Sequence, residues 1–159
     1  QMFFLLGKTY DKLQTFVPIQ DYQIDHYKNR FLKYINPGFI KCVTDENDEL
    51  VAFAITMPSF SNALKKINGK VDFIGKLRLL HAKNFNHKGS LYLIGVRPDF
   101  QNKGVIAILF NELQKFYNKF GITEVETNPE LIENAAIQQL WKNYENNQHK
   151  NRATFTKEI

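Results

Sequence analysis

The sequence predicts an α/β fold in which a mixed sheet is flanked by helices. Two apolar segments separated by five polar residues, 45–49, are typical of a β-hairpin. Strands then alternate with helices, which favours a partly parallel sheet. Residues 50–57 are almost continuously apolar, as expected of a strand buried on both faces.

The composition excludes several classes of protein. The chain has 159 residues, which suits a single domain over residues 1–159, and it is 43% hydrophobic, which excludes intrinsic disorder. A single cysteine excludes an internal disulfide framework and a cysteine-based zinc site. The four histidines have no metal-ligand spacing, so no metal site is predicted.

The balance of 21 Lys and Arg against 16 Asp and Glu gives a net charge of +5, which favours an anionic ligand. No block of five or six like charges occurs, so we expect no nucleic-acid partner. No segment approaches the ~20 apolar residues of a membrane span. Residues 2–6 are too short for the core of a signal peptide. We therefore expect a cytoplasmic protein with no membrane partner.

Two helices are predicted before the hairpin. The second covers residues 22–34 and ends at the turn formed by residues 36–38. The hairpin strands follow at residues 39–44 and 50–57. The first helix is predicted from apolar residues at spacings near 3.6, namely Leu5, Leu6, Tyr10, Leu13 and Phe16.

Residues 59–89 are predicted to form a helical insertion. Ser59 or Ser61 is expected to cap a short helix closed by Gly69, and Asp72 a second helix. The second helix carries Phe73, Ile74, Leu77 and Leu80. The segment is also basic, with Lys65, Lys66, Lys70, Lys76, Arg78 and Lys83. We consider a cover for a ligand pocket, a docking site for another domain, and a surface insertion without function.

The second half of the chain alternates between strands and helices. A strand at residues 91–96 leads through a short loop into a long amphipathic helix that ends before Gly121. A strand at residues 122–127 follows. The pair Asn128-Pro129 is typical of a helix start, and residues 152–159 alternate like a closing strand.

The loop before the long helix is the strongest candidate for a ligand site. The first N–H groups of a helix have no internal partner, and the helix dipole adds positive charge there, so this end favours anions. Gly104 would let a ligand approach the backbone, and Lys103 adds a cation. A plain connection with Gly104 present for packing fits equally well, since one glycine is a weak signal.

The motif Val96-x-Pro98-x-x-Gln101-x-x-Gly104 resembles the central motif of the GNAT superfamily of acyl-CoA-dependent N-acyltransferases. Asn134-x-x-Ile137-x-x-Leu140-Trp141 is similar to the Asn-x-x-Ala-x-x-Leu-Tyr helix of that family. The chain looks most like an uncharacterised bacterial branch with a degenerate CoA-binding motif. The resemblance implies a sheet splayed between two central parallel strands, with acyl-CoA in the gap.

The resemblance also implies ligand contacts. The backbones of Ile94 and Val96 would meet the pantetheine arm of acetyl-CoA or another acyl-CoA, and Asn134 would contact the same arm. The acceptor would be a small-molecule or peptide amine. The CoA pyrophosphate would be held by the N–H groups of Gln101, Asn102, Lys103, Gly104, Val105 and Ile106.

Three positions depart from the family pattern. Ile106 and Asn102 stand where the family has small residues, and Trp141 replaces a tyrosine that often protonates the leaving thiolate. An indole N–H has no useful acidity. Tyr144 is an alternative acid or a packing residue. Glu126, at the end of its strand, is a candidate general base or a solvated carboxylate.

Two functions follow from the resemblance. One is an N-acyltransferase that moves an acetyl or acyl group from acyl-CoA to an amine. The alternative is a catalytically inactive GNAT-like module that binds CoA or has a structural role in a larger protein. The chain opens with Gln1 and a helix, whereas the family begins with a strand. We therefore expect the domain to be cut from a longer chain that could include an upstream domain.

Overall fold

The computed structural model describes residues 1–11, 17–30, 32, 35–132, 134–153, 155 and 157, with only the backbone of residues 135 and 136. The chain forms two compact units, Gln1–Glu126 and Thr127–Ile159, which are described separately below. The elements are α1 (Met2–Tyr10), α2 (Asp21–Arg30), β1 (Ile40–Thr44), β2 (Leu50–Pro58), α3 (Ser61–Ile67), α4 (Phe73–Asn84), β3 (Lys88–Val96), α5 (Val105–Phe120), β4 (Glu124–Thr127) and α6 (Ala135–Trp141).

The strands of the described residues form one four-stranded sheet in the order β1-β2-β3-β4. The pairs β1–β2 and β2–β3 are antiparallel. The N–H groups of Thr123 and Glu124 donate to the carbonyl of His87 at 2.9 and 3.2 Å. His87 directly precedes β3, so β3 and β4 start side by side and run in the same direction. The predicted mixed sheet, with its initial hairpin, is confirmed.

Strand β2 lies at the centre of the core and is buried on both faces, as its apolar run predicts. Phe53 and Ile55 pack with Leu5 of α1, whereas Ala52 packs with Val105 of α5. Alternate side chains of a strand point to opposite faces. Helices α1 and α5 therefore cover opposite faces of the sheet.

Helix α5 buries a stripe formed by Val105, Leu109, Leu113 and Tyr117. The helix ends at Gly121, whose left-handed φ of 67° lets its N–H bond back to the carbonyls of the last turn. Both the helix and its stop agree with the sequence pattern.

The segment between β2 and β3 folds into α3 and α4. The Asp72 side chain caps α4 as predicted, since its Oδ1 accepts from the N–H of Gly75 at 2.7 Å. The N-cap position of α3 is Phe60 and not a serine, although Ser59 Oγ accepts from the N–H of Ser61 at 3.4 Å. The two turns of α3 end at Asn68, and both Asn68 and Gly69 have positive φ.

Three element boundaries differ from the predictions. Helix α1 ends at Tyr10 and α2 at Arg30, while Leu13, Phe16 and residues 33–34 lie outside the described residues. Helix α6 begins at Ala135 instead of at residues 128–129, because the side chain of Asn134 caps it. The described positions among residues 152–159 form no strand, and residues 154, 156, 158 and 159 lie outside the description.

Candidate functional site

The carboxyl end of β3 is shaped by a bulge. Ile55 pairs with Leu93 and Thr56 with Leu91, so Tyr92 is an extra residue on β3. Beyond the bulge, the N–H of Arg97 donates to the carbonyl of Val51 at 2.8 Å. Hydrogen-bonded and non-bonded pairs alternate along an antiparallel ladder. The backbones of Ile94 and Val96 therefore face away from β2.

Two side chains of α1 reach those backbones. The hydroxyl of Tyr10 donates to the carbonyl of Ile94 at 2.8 Å. Thr9 Oγ1 lies 2.8 Å from the carbonyl of Leu5 and 3.2 Å from that of Val96, so these two acceptors share its one proton. The sequence analysis missed both side chains, since they lie more than 80 residues away in the chain. The carbonyl of Ile94 keeps a second lone pair with which a ligand could pair, whereas that of Val96 also accepts from Gln101 Nε2.

The loop after β3 presents unpaired backbone donors. The N–H groups of Phe100, Gln101 and Lys103 bond to carbonyls within the loop. The described hydrogen bonds leave four N–H groups at the start of α5 without a partner in the protein: Asn102, Gly104, Val105 and Ile106. Such clustered donors at a helix start attract an anion.

Two residues of this loop adopt left-handed conformations, Asn102 with φ 61° and Gly104 with φ 78°. Asparagine tolerates this region better than other non-glycine residues, which explains how it stands where the family has glycine. A Cβ added at Gly104 would meet no atom within 4 Å. The backbone of Gly104 is therefore open to an approaching ligand, and glycine is required there by its φ and not by packing.

The side chains of the loop are engaged by the protein itself. Gln101 Nε2 donates to the carbonyl of Val96 at 3.4 Å. The ammonium of Lys103 lies 5.3 Å from the centre of the Phe100 ring. Ile106 is half-buried in the first turn of α5. The donors that this loop offers are therefore mainly backbone N–H groups.

Arg97 holds the loop against the β1–β2 turn, a role that the motif did not predict. Its guanidinium pairs with Asp45 at 3.2 Å, Glu49 at 3.2 Å and Asp99 at 2.9 Å. The hydrogen bond that Arg97 Nε donates to Asp99 is the main cause that raises the pKa of Arg97. Partial burial opposes ionisation of Asp45, but N–H donors of Glu49 and Asn47 together with Arg97 lower its pKa.

The second unit contains the family's other motif. The Asn134 side chain accepts from the N–H of Ile137 at 3.4 Å and so caps α6. The indole N–H of Trp141 donates to both carboxylate oxygens of Glu130, at 2.9 and 3.0 Å. Tyr144 lies beyond the end of α6, exposed, with its ring 6.2 Å from that of Trp141.

The two glutamates of β4 differ in their surroundings. Glu124 is exposed and forms an ion pair with Lys88. Glu126 is half-buried near the end of the strand. Only Glu126 therefore has the partial shielding that suits a general base.

The described residues show neither a metal centre nor a membrane-spanning helix. Within them, no three His, Cys, Asp or Glu side chains are grouped so as to hold a metal ion. None of the helices in that part of the chain has the length and apolar character needed to cross a membrane.

Several solved structures resemble this fold. The apo aminoglycoside 6'-N-acetyltransferase from Acinetobacter haemolyticus has a TM-score of 0.56 and 13% identity, with 97% of this chain and 92% of that chain covered. The aminoglycoside 6'-N-acetyltransferase Iy, in complex with a bisubstrate analogue of CoA and acetylneamine, has a TM-score of 0.58 and 14% identity, with coverages of 99% and 90%.

A third similar structure is an aminoglycoside acetyltransferase from an uncultured soil metagenomic sample, in complex with sisomicin. Its TM-score is 0.53 at 12% identity, with coverages of 99% and 88%. At such low identity these likenesses show a shared fold. A comparison with curated protein sequences gives no match.

The sequence itself matches a family model. The model for the acetyltransferase (GNAT) family covers residues 8–143, which is most of the chain. The matched range includes both the loop at the start of α5 and the motif of α6. The chain therefore belongs to the acetyltransferase (GNAT) family.

Proposed function

We propose that this protein is an N-acyltransferase that moves an acetyl or longer acyl group from acyl-CoA to an amine. The observation that carries the proposal is the set of four unpaired N–H groups at residues 102 and 104–106. A pyrophosphate needs such donors, and α5, with 16 residues, adds the positive end of its dipole. The open space at Gly104 would admit the ligand.

The transfer would be direct. The nitrogen of the neutral amine attacks the thioester carbonyl carbon, the carbon–sulfur bond breaks, and CoA leaves as a thiolate that takes up a proton. The new amide loses the proton that the amine brought. The backbones of Ile94 and Val96 are proposed to align the pantetheine arm, with Asn134 contacting the same arm.

Proton transfer needs a base and an acid. We propose Glu126 as the base that takes the proton from the amine, because it is half-buried at the strand end. Tyr144 is the proposed acid for the thiolate. Its hydroxyl replaces that of the tyrosine found in the family at position 141, where this chain has tryptophan.

One observation favours the second candidate function, a GNAT-like module without catalysis. The Trp141 indole N–H is taken up by Glu130, so the position where the family often has its acid serves to hold α6. In this case the protein catalyses no acyl transfer, whether or not it still binds CoA.

Calorimetry with acetyl-CoA tests the binding step with a matched pair of variants. Gly104 and Gly69 share a φ of +78°, and a Cβ at either meets no atom within 4 Å. Gly104→Ala is expected to weaken binding at least about tenfold, since its methyl group projects beside the N–H groups that would donate to the ligand. Gly69→Ala should bind like the wild type. Equal affinities in both variants, or no binding by the wild type, contradict the proposal.

Release of free thiol from acetyl-CoA then separates the enzyme from the inactive module. The acceptor panel contains sisomicin, neamine and a peptide with a free N-terminus. We expect turnover with at least one acceptor, and a loss of about 10²–10⁴-fold in kcat for Glu126→Gln and for Tyr144→Phe. CoA binding without thiol release for any acceptor favours the inactive module.

A further inference from the structure

The segment 59–89, here called the basic hairpin, contains the net positive charge of the whole protein. It has seven of the 21 basic residues, Lys65, Lys66, Lys70, Lys76, Arg78, Lys83 and Lys88, and one of the 16 acidic residues, Asp72. Its net charge is +6, so the remainder of the chain has −1 of the overall +5. Six of the seven basic residues lie in α3, in α4 or in the loop between them, and the seventh, Lys88, lies in β3 and pairs with Glu124.

The basic hairpin also exposes an apolar stripe. Phe73, Leu77 and Leu80 follow an i, i+4, i+7 spacing along α4, and their exposed fractions are 76%, 51% and 56%. The opposite side of the same helix turns inward and contains buried Gly75 and half-buried Leu79. Further large apolar side chains of the hairpin are exposed as well: Leu64, Val71, Ile74 and Phe85.

Cationic side chains lie beside this stripe. At 100° per residue, Lys76 and Lys83 flank it on one side, and Arg78 lies beyond Ile74 on the other. All three are exposed. Among the described contacts, no ion pair involves Lys65, Lys66, Lys70, Lys76 or Lys83. These ammonium groups are therefore available to an external anion.

We propose that the basic hairpin docks on the surface of an anionic lipid bilayer. A helix with an apolar face and flanking lysines lies in the interface, with its apolar side chains at the acyl boundary and its cations at the headgroups. The prediction of no membrane partner rested on the lack of a spanning segment. Docking at the surface needs no such segment.

Charge and chemistry favour this occupant over two others. A second copy that paired hairpin to hairpin would bring +6 against +6, and like charges in contact oppose association. A nucleic acid would satisfy the lysines but would leave Phe73, Leu77 and Leu80 without an apolar partner. An anionic bilayer provides both an apolar layer and negative charge.

The basic hairpin and the candidate CoA loop are attached at opposite ends of β3. The basic hairpin leads into the start of β3, and the loop follows the end of that strand, nine residues on. At about 3.3 Å per residue the two ends of the strand are about 26 Å apart. Docking through the hairpin therefore does not require the CoA loop to be covered.

Co-sedimentation of the full chain with vesicles tests the proposal. With vesicles of phosphatidylcholine and about one third phosphatidylglycerol, the wild type should sediment at about 0.1 M salt and much less at about 0.5 M salt. Vesicles of phosphatidylcholine alone should bind at least about tenfold more weakly.

A matched pair of double variants locates the contact. Lys76→Glu/Leu77→Ser removes one cation and one apolar side chain from the stripe and should lower the partition coefficient at least about tenfold. Ile108→Ser/Lys119→Glu makes the same exchange at exposed positions of α5 and should stay within about twofold of the wild type. Circular dichroism melts check that both variants fold.

Three results would overturn the proposal. The first is a wild type that does not sediment with anionic vesicles. The second is a hairpin variant that sediments like its control. The third is a hairpin variant that loses self-association in light scattering, or loses binding to polyuridine RNA, while it still binds vesicles. That result would assign the basic hairpin to a second copy or to a nucleic acid.

Discussion

Helices α4 and α5 both have apolar side chains at helical spacing, but those of α5 are buried and those of α4 are exposed. In α5, Leu109 and Leu113 are each 1% exposed and form part of the core. In α4, Phe73 and Leu77 are exposed, and the buried side of the helix is made of small and half-buried residues. The pattern therefore shows that a helix has an apolar face, but not whether the protein covers it.

The strand connections explain the difference. Helix α5 joins β3 to β4, which run in the same direction, and a parallel crossover places its helix on a face of the sheet. The basic hairpin joins β2 to β3, which are antiparallel and need only a short turn. Nothing in that connection requires α4 to pack its apolar stripe on the sheet.

The largest contrast is expected when one leucine is removed from each helix. Leu109→Ala should lower the free energy of unfolding by about 2–5 kcal/mol, because it leaves a cavity in the core. Leu77→Ala should change it by less than about 0.5 kcal/mol, because the side chain is exposed. Urea unfolding of both variants measures the difference. Similar losses would mean that α4 is covered in solution.

Substitution of the left-handed glycines before α5 and α4 should lower stability equally but affect ligand binding only at Gly104. Gly104→Ala and Gly69→Ala each place a side chain at a φ of 78°, which costs about 1–2 kcal/mol. Thermal melts without ligand should therefore show matched losses. Acetyl-CoA should raise the melting temperature of Gly69→Ala as much as that of the wild type. It should raise that of Gly104→Ala much less. A much larger loss at Gly104 without ligand would point to a packing role.

The caps of the two helices predict a smaller difference. Helix α4 is capped by Asp72, whereas α5 starts at Gly104 without a side-chain cap. Asp72→Ala should destabilise the protein by about 1 kcal/mol, since the N–H of Gly75 loses its acceptor. Asp72→Asn should restore most of that loss. Equilibrium unfolding measures both, and a failure of asparagine to restore stability would contradict a capping role.

The smallest expected effect depends on pH. It concerns the ion pair of Arg97 with Asp45, which holds the loop before α5 against the β1–β2 turn. Because the folded pKa of Asp45 is lowered, its charged form stabilises the fold above the unfolded pKa of about 3.9 and loses this effect as the pH falls through the folded pKa. Asp45→Asn should therefore melt at a lower temperature than the wild type at neutral pH. Below both pKa values the melting temperatures should converge.

Asp48→Asn is the control for that measurement. Asp48 lies in the same turn, and no ion pair of the described residues includes it. Its substitution should leave the pH profile unchanged. If Asp45→Asn and Asp48→Asn give the same profile, Arg97 does not stabilise the turn through Asp45.

Parts of the candidate site could be read from local sequence and other parts could not. The loop between Val96 and Gly104 follows from a motif in which each residue acts close to its neighbours. Thr9 and Tyr10 could not be found in this way, because Thr9 contacts Val96 from 87 positions away. Arg97 stands within the motif, but its acidic partners at residues 45 and 49 lie in the turn between β1 and β2.

The sequence by itself determined the order of helices and strands from α1 to α6, the buried central strand, the caps at Asp72 and Gly121 and the loop with Gly104 that opens α5. These features depend on periodicity, backbone preferences and neighbours a few residues apart. Only the tertiary structure decided which apolar stripe is covered, which side chains reach the backbone of β3, and which carboxylates hold Arg97. Those features depend on contacts between distant segments, which exist only once the sheet has formed and its connections have been placed.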